Sequence, residues 1–319
     1  MARKPRLHVP GGLYHIISRG NDRQALFRDA ADYRAYLKRL EAGLARHDLR
    51  CYAYCLMPNH VHLLVEPGST PVSRLMQGVQ GAYAQHLNRR YRRTGHRFQG
   101  RFRAILCERE GYLLELVRYL HLNPVRAGLC RTPEGWPWSS HRAYVGSTQD
   151  VLPIVQTVVL GHFHRDLGRA RKAFFRFVQE GTALGHRPEF YEVWEQRVLG
   201  DEAFAERVLV SSREERARRP KISMEEIFEA VAEEFGIPMS AISRVGRARV
   251  PAQARAVAAF IARESANFPL TAVARLVRRD PVTISHAVRR LEDRLQDTPQ
   301  LTRQVERVRR RLRKGKRTA

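Results

Sequence analysis

Two short sequence patterns bring together side chains that could bind a metal or take part in catalysis. In the first, His60 and His62 are separated only by Val61. Residues two apart on a β-strand point to the same face, so a strand here would present both imidazoles side by side. Two neutral imidazoles placed in this way can share one divalent cation and leave positions open for a phosphate oxygen. The alternative is two polar residues on the solvent-facing side of a half-buried strand.

The second pattern pairs Tyr119 with Asn123, four residues apart on a predicted helix and therefore on one face of it. Tyrosine can act as a covalent nucleophile, and the Asn carbonyl oxygen can join a metal. A phenol has a pKa of about 10, so it needs a nearby cation to react at neutral pH. Spacing alone favours a structural role for both residues, with Tyr119 as a core aromatic and Asn123 as the C-cap of a helix before Pro124. Tyr112 lies on a similar face and fits the role of nucleophile as well.

Alternating strand and helix patterns must position these residues. Strand-like runs cover 13–18, 50–57, 60–65 and 98–107, and helical spacing covers a stretch after Asp29 and the segments 72–91 and 112–122, the last stopped before Pro124. The order is β-α-β-β-α-β followed by an extra helix. This order predicts an α+β fold, a ferredoxin-like antiparallel sheet with helices on one face.

The rest of the chain is predominantly helical. The pattern from 151 to about 219 is helical and polar, with a turn-rich piece at 181–188. From 221 onward the periodic runs are 224–235, 252–265, 270–277 and 281–295, which predict an all-α domain. A tail rich in Arg and Lys follows, and its apolar residues Leu301, Val305, Val308 and Leu312 recur at helical spacing. The tail is expected to be an amphipathic helix lying on the protein, a phosphate-binding arm or simply a solvated charged face.

Composition restricts the partners. The formal net charge is +25 and the sequence pI is about 11.0, so a polyanion is the expected partner, and nucleic acid is the commonest one. A membrane surface is disfavoured because Arg and Lys are spread over several segments rather than gathered beside one hydrophobic anchor. The four cysteines form no Cys-x-x-Cys pair, which argues against a zinc ribbon. Without an apolar leader or a stretch of ~20 apolar residues, the protein is expected in the cytoplasm.

A helix-turn-helix pattern lies near the C-terminus. Residues 270–277 and 281–291 are two helical runs joined by a short Arg-Arg-Asp turn. The second helix would present to a major groove the residues Thr283, Ser285, His286, Arg289 and Arg290. The alternative is a small helical bundle whose exposed face happens to be basic.

Several blocks together resemble the single-tyrosine, His-hydrophobic-His transposases, most closely the REP-associated tyrosine transposases. The resemblance runs from about residue 5 to residue 146. Its blocks are GGLYH at 11–15, SRGN at 18–21, MPNHVHLLV at 57–65, FQGRF at 98–102 and YLLELVRYLHLNPVRAG at 112–128. WPWSS at 136–140 and LGDEAF at 199–204 also resemble parts of the family's longer bacterial members.

The resemblance implies a fold and a reaction. The fold is a ferredoxin-like sheet, and the metal ligands map onto His60, His62 and Asn123, which would hold Mg²⁺ or Mn²⁺. The nucleophile maps onto Tyr119, which would attack a DNA phosphate to give a 5′-phosphotyrosine and a free 3′-OH. The expected substrate is single-stranded or hairpin DNA, which is cut and rejoined without ATP.

Residues 222–295 resemble the DNA-binding domain of the replication initiator DnaA. The resemblance maps the basic loop onto 244–249, with Arg244, Arg247 and Arg249, and the signature segment onto DPVTISHA at 280–287. Pro281 stands where that initiator usually has His. This resemblance implies a second, duplex DNA contact.

The expected organisation is a catalytic domain at 1–146, a helical connector at 147–219, a helix-turn-helix domain at 220–300 and a basic tail at 301–319. The chain would act as a monomer or a homodimer. Two other functions stay open from the sequence. The protein could be a domesticated DNA-binding regulator that no longer cuts, or a metal-dependent nuclease that uses water, with Tyr119 in a structural role.

Overall fold

The fold is known from a computed structural model, which describes residues 6–147, 152–184, 193–218, 222–244, 246, 248–265 and 268–314. The chain divides into two compact units, Met1–Glu214 and Glu215–Ala319. In the described residues, no helix is both long enough and apolar enough to cross a membrane.

A five-stranded sheet is the centre of the first unit, with the strand order β2-β3-β1-β4-β5. The strands are β1 Leu13–Arg19, β2 Leu49–Met57, β3 His60–Pro67, β4 Arg103–Cys107 and β5 Val198–Leu199. The first four pair antiparallel, and β5 adds a short parallel edge beside β4. This is the ferredoxin-like order, so the predicted α+β fold is confirmed. The strand β4 begins later than expected, because Phe98 makes only an isolated bridge with Gly20.

Two helices cover one face of this sheet, as the sequence predicted. They are α1 Ala30–His47 and α2 Val72–Arg90. The side chain of Asp29 caps α1 by accepting the backbone N–H groups of Ala31 and Asp32. The apolar face of α1 packs on the buried side chains of β1 and β3 that point to this side, including Ile16, Val61 and Leu63.

The extra helix α3, Arg109–Arg126, covers the opposite face of the sheet. The expectation that this helix stops before Pro124 is wrong. A proline inside a helix removes one backbone hydrogen bond, but Pro124 is buried and the next turn still closes, with the Ala127 N–H donating to the Asn123 carbonyl at 2.9 Å. The helix therefore carries both Tyr119 and Asn123 without interruption.

The segment after α3 packs on the same face. It contains α4 His141–Tyr144, α5 Gln156–Gly161 and α6 Leu167–Glu180. Phe174 of α6 is fully buried and stacks on Tyr144, with ring centroids 4.8 Å apart. Much of the stretch expected to be a connector therefore completes the core of the first unit. Part of the turn-rich piece expected at 181–188 lies outside the described residues, and the functional domain boundaries stay a prediction.

The WPWSS motif attaches this segment to the outer strand β2. The backbone N–H of Leu56 donates to the Trp138 carbonyl at 2.9 Å, and the N–H of Tyr54 donates to the Ser140 hydroxyl at 3.1 Å. Ser140 begins a buried chain of hydrogen bonds through two histidines. The chain runs from Ser140 to His121 (2.9 Å), to His141 (3.3 Å) and to Glu134 (2.9 Å). The motif therefore covers what would otherwise be an open sheet edge.

A helix that begins in the first unit leads into the second, which is helical throughout its described residues. The leading helix is α7 Glu202–Arg218. The others are α8 Met224–Phe235, α9 Met239–Ser243, α10 Arg249–Ser265, α11 Leu270–Leu276, α12 Pro281–Asp297 and α13 Pro299–Lys314. The helix α9 was not predicted. The described part of the basic tail lies in α13, and its four apolar residues are buried in the core of this unit, so this part is an amphipathic helix packed on the protein.

Candidate functional site

His60 and His62 lie on β3 and point to the same face of the sheet, as the sequence predicted. That face is not the solvent-facing one. His62 pairs with Ile17 of β1 and with Cys55 of β2, and its side chain is buried beneath α3, with 2% of its surface exposed. His60, at the start of the strand, is partly buried. The alternative of two solvated polar residues is therefore wrong for His62.

The structure brings this histidine pair together with Tyr119. The His60 and His62 rings meet edge-on with centroids 4.9 Å apart, and the ring of Tyr119 lies 6.3 Å from that of His62. Tyr119 is 3% exposed, and the guanidinium of Arg126 lies 5.0 Å from its ring centroid. Tyr112 is half-buried seven residues earlier in α3, roughly 10 Å away along the helix axis at 1.5 Å per residue. The geometry therefore separates two tyrosines that spacing could not.

Asn123 lies one helical turn beyond Tyr119. Its side-chain nitrogen is buried and has no hydrogen-bond partner in the part of the chain that the structure describes. The two ends of an Asn amide have nearly the same shape, so rotating the amide by 180° would place the carbonyl oxygen in the same position. A buried polar atom without a partner is costly, and a cation bound to that oxygen would remove the cost.

The hydrogen bonds of His60 determine which of its nitrogens is free. Its Nδ1 lies 2.7 Å from the side-chain oxygen of Asn59, whose amide nitrogen donates to the Arg23 carbonyl at 3.1 Å. A carbonyl oxygen only accepts, so Nδ1 of His60 carries the hydrogen. Its Nε2 then offers a lone pair, which is the form that binds a metal.

His15 is a further component of the site, and sequence reasoning did not single it out. It is fully buried on β1, its Nε2 lies 3.0 Å from Nδ1 of His62, and the two rings stack with centroids 5.2 Å apart. Its ring is also 6.3 Å from that of Tyr119. The available signal was positional, because β1 and β3 are neighbours in a ferredoxin-like sheet and His15 is a diagonal neighbour of His62 on the same face.

The three histidines are held neutral. Burial, and secondarily the charge of Arg19, lower the pKa of His60 to about 4. Burial and the charge of Arg103 lower the pKa of His15 to about 3, and burial with the neighbouring His15 and His60 takes the pKa of His62 well below its usual range. Neutral imidazoles are the form that ligates cations.

The donor set suits a cation that takes nitrogen and oxygen ligands and remains partly open. Among the described residues, no group of three or more His, Cys, Asp or Glu side chains could hold a metal. Two imidazoles and one amide oxygen fill only part of a cation's coordination and carry no negative charge, so water or phosphate oxygens from outside the chain would complete it. The residues present therefore fit a divalent cation whose remaining coordination positions are filled from outside the chain.

In the second unit, the predicted recognition helix is α12. The side chains of Thr283, His286, Arg289 and Arg290 are exposed on it and Ser285 is half-buried. The Asp280 carboxylate caps the helix by accepting the N–H groups of Val282 and Thr283. Val282, which sequence reasoning passed over, is 62% exposed at the start of this helix.

The basic loop before α10 is held by an arginine that sequence reasoning also missed. Arg244 and Arg249 are exposed, and Arg247 lies outside the described residues. The buried Arg255 donates to the carbonyls of Ile242 (3.1 Å), Arg244 (3.2 Å) and Gly246 (3.1 Å). Burial and, secondarily, the charge of Arg279 lower the pKa of Arg255. Arg255 thus fixes the loop backbone from the buried side, while the side chains of Arg244 and Arg249 remain exposed to solvent.

Two family models match parts of this chain. Residues 8–123 match the family model described as transposase IS200 like, and residues 224–291 match the model of the bacterial DnaA protein helix-turn-helix. The comparison with curated proteins returned no match.

Two solved structures are similar to part of the chain. One is a REP-associated tyrosine transposase bound to a REP hairpin, with 17% identity, a TM-score of 0.41, and coverage of 49% of this chain and 96% of that one. The other is a candidate transposase from Deinococcus radiodurans, with 18% identity, a TM-score of 0.27, and coverage of 36% of this chain and 94% of that one. The two family models confirm the resemblance seen in the sequence: residues 8–123 are similar to the IS200-like transposases, and residues 224–291 are similar to the helix-turn-helix of the bacterial DnaA protein.

Proposed function

We propose that this protein is a transposase that cuts and rejoins single-stranded or hairpin DNA through Tyr119. The observation that supports the proposal most strongly is the convergence of His60, His62 and Tyr119 within one buried cluster, with ring centroids 4.9 and 6.3 Å apart. These residues lie on two separate elements, β3 and α3, and only the fold brings them together.

In the proposed reaction, the phenolic oxygen of Tyr119 forms a bond to the phosphorus of a DNA phosphodiester. The bond from phosphorus to the 3′ oxygen breaks, which leaves a 5′-phosphotyrosine and a free 3′-OH. The phenol releases its proton to solvent, and the departing 3′ oxygen takes one up. Rejoining is the reverse attack of a 3′-OH on the phosphotyrosine, so the covalent bond conserves the energy for it.

His60, His62 and Asn123 would hold Mg²⁺ or Mn²⁺, and such a cation would supply polarisation of the phosphate and stabilisation of the charge that develops on its oxygens. The residues of the chain contribute position. The strand fixes the two imidazoles, and α3 carries the nucleophile and the amide on one face. Burial of Tyr119 keeps its ring in place beside the histidines.

The second unit would bind duplex DNA. The exposed side chains of Thr283, His286, Arg289 and Arg290 would face the major groove from α12, with the half-buried Ser285 at the margin. Arg244 and Arg249 would contact phosphates from the basic loop, together with Arg247. The chain would act as a monomer or a homodimer.

The metal role is tested by His60→Ala. Because His60 is only partly buried, the variant should fold, bind a labelled hairpin-bearing single strand and fail to cleave it in Mg²⁺ or Mn²⁺. His162→Ala is the control, since His162 is exposed at the end of α5 and is not among the proposed site residues, and it should cleave normally. Full activity of His60→Ala, or of the unaltered protein in excess chelator, would rule out the metal role and favour a different mechanism.

A further inference from the structure

The two candidate ligand histidines differ in what fixes their tautomer, the position of the single ring hydrogen. For His60 the acceptor is the side-chain oxygen of Asn59, 2.7 Å from Nδ1. A carbonyl oxygen cannot donate, so the hydrogen of His60 must be on Nδ1. For His62 the partner is another imidazole, that of His15, at 3.0 Å. An imidazole nitrogen can either donate or accept, so this hydrogen bond permits two arrangements.

Only one of the two arrangements suits a metal ligand. If His15 donates from Nε2, then Nδ1 of His62 accepts, the hydrogen of His62 sits on Nε2, and neither nitrogen has a lone pair to offer. If His62 donates from Nδ1, then Nε2 of His62 keeps its lone pair, and His15 carries its hydrogen on Nδ1. The second arrangement reproduces for His62 what Asn59 imposes on His60.

We infer that His15 is the positioning residue of the catalytic site, whose Nε2 accepts the Nδ1–H of His62 and so presents Nε2 of His62 as a ligand. The inference rests on the proposed metal role of His60 and His62. His15 does not touch the reacting atoms in this account. It acts through His62, by the hydrogen bond and by the stacking of the two rings at 5.2 Å.

The surroundings of His15 support a dedicated role. Its side chain is fully buried in the central strand β1, between Leu64 of β3 and Ile105 of β4. Its other nitrogen, Nδ1, has no hydrogen-bond partner within the described part of the chain. An apolar residue would avoid the cost of this buried polar atom, so the contact that the imidazole makes through Nε2 is the one that distinguishes it from a leucine.

The inference predicts a change in metal affinity that can be measured without the reaction. Mn²⁺ is titrated into the full chain by calorimetry for the unaltered protein, His15→Leu, His15→Gln, His60→Ala and the control His162→Ala. Removing an outer partner of a metal-ligating histidine weakens metal binding by roughly 10–100-fold, and that is the loss expected for His15→Leu. His15→Gln should retain much of the affinity, because its side-chain oxygen can accept the hydrogen of His62.

A comparison of His15→Asn with His15→Gln keeps the test informative if the leucine variant misfolds. His15→Asn is polar like His15→Gln but too short to reach His62, so it should bind Mn²⁺ as weakly as His15→Leu. Urea unfolding followed by tryptophan fluorescence reports whether each variant is folded. Because Asn and Gln are equally polar, a difference between them in Mn²⁺ affinity isolates the hydrogen bond from general effects on the core.

The outcomes separate this inference from the proposed function. If His60→Ala binds Mn²⁺ as tightly as the unaltered protein, the proposed metal site itself is wrong. If His60→Ala is weakened while folded His15→Leu and His15→Asn bind normally, the metal site stands and the role of His15 is overturned. Loss in His15→Leu and His15→Asn with retention in His15→Gln supports the inference.

Discussion

Phe174 tests whether the stretch after α3 is part of the first unit or a separate connector. Its side chain is fully buried, stacks on Tyr144 at 4.8 Å and meets the rings of Phe163 and His121 edge-on at 5.6 and 5.8 Å. Truncating a buried Phe to Ala costs about 3–5 kcal/mol. Several aromatic neighbours place Phe174→Ala in the upper part of that range, since each such pair adds about 0.5–1.5 kcal/mol beyond area burial.

The chain contains a selective probe for this experiment. All three tryptophans, Trp136, Trp138 and Trp194, lie in the first unit, so tryptophan fluorescence follows the unfolding of that unit within the full chain. Phe174→Ala should move the urea midpoint to a lower concentration without changing the slope, because stability changes and the exposed area does not. The matched control on the same helix is Leu167→Ala, since Leu167 is 48% exposed, and it should shift the midpoint little.

An independent connector would behave differently. If α6 folded apart from the sheet, Phe174→Ala would leave the tryptophan transition where it is in the unaltered protein. That result would refute the assignment of this segment to the core of the first unit. It would also restore the connector suggested by the polar, helical sequence after residue 147.

Three further predictions address acid stability, the tail and duplex binding. Burial and the neighbouring His141 hold the pKa of His121 well below its usual range. Its neutral form therefore stabilises the fold above pH 6.5, and this stability is lost as pH falls below that value. Between pH 7.5 and 5, the free energy of unfolding followed by tryptophan fluorescence should decrease less in His121→Gln than in the unaltered protein. Leu301 of α13 is 1% exposed, so Leu301→Ala should destabilise the second unit by about 2–5 kcal/mol. Circular dichroism should then show loss of helix at a lower urea concentration, while the tryptophan transition is unchanged. In a 215–319 fragment, Arg244→Ala should reduce the slope of log affinity for duplex DNA against log salt by about 1, because Arg244 is exposed and is proposed to contact a phosphate. Arg307→Ala should not change the slope, because Arg307 is paired with Glu234 at 2.6 Å. An absence of duplex affinity at low salt would contradict the helix-turn-helix assignment.

Local patterns predicted most of the elements because they depend on neighbouring residues. The strand-like run at 60–65 was confirmed as β3, and the helical spacing after Asp29 was confirmed as α1, with Tyr36, Leu37 and Leu40 buried on one face. The helix α9 escaped because five residues are too few to show helical periodicity. Pro124 was wrongly given the role of a helix stop, because the cost of one lost hydrogen bond is outweighed by burial of its ring.

The parts of the site that could not be predicted depend on contacts between distant elements. His60 and His62 share a face by strand geometry alone, but no local pattern states that α3 covers that face and buries His62. The contact of His15 with His62 spans 47 residues and depends on the register between β1 and β3. Arg255 is similar, since a charged residue in an apolar helical run gives no sign that it donates to three loop carbonyls.

The central claim is that Tyr119 is the nucleophile, and Tyr119→Phe tests it most directly. The change removes one hydroxyl and keeps the buried ring, so folding and DNA binding should barely change, while cleavage should fall by orders of magnitude. Tyr112→Phe is the matched control on the same helix. A labelled single-stranded hairpin is incubated with Mg²⁺ or Mn²⁺ and run on a denaturing gel. A covalent protein–DNA adduct should appear with the unaltered protein and with Tyr112→Phe, and it should be absent with Tyr119→Phe. An adduct that persists in Tyr119→Phe would contradict the account, and cleavage without an adduct in any variant would favour a nuclease that uses water.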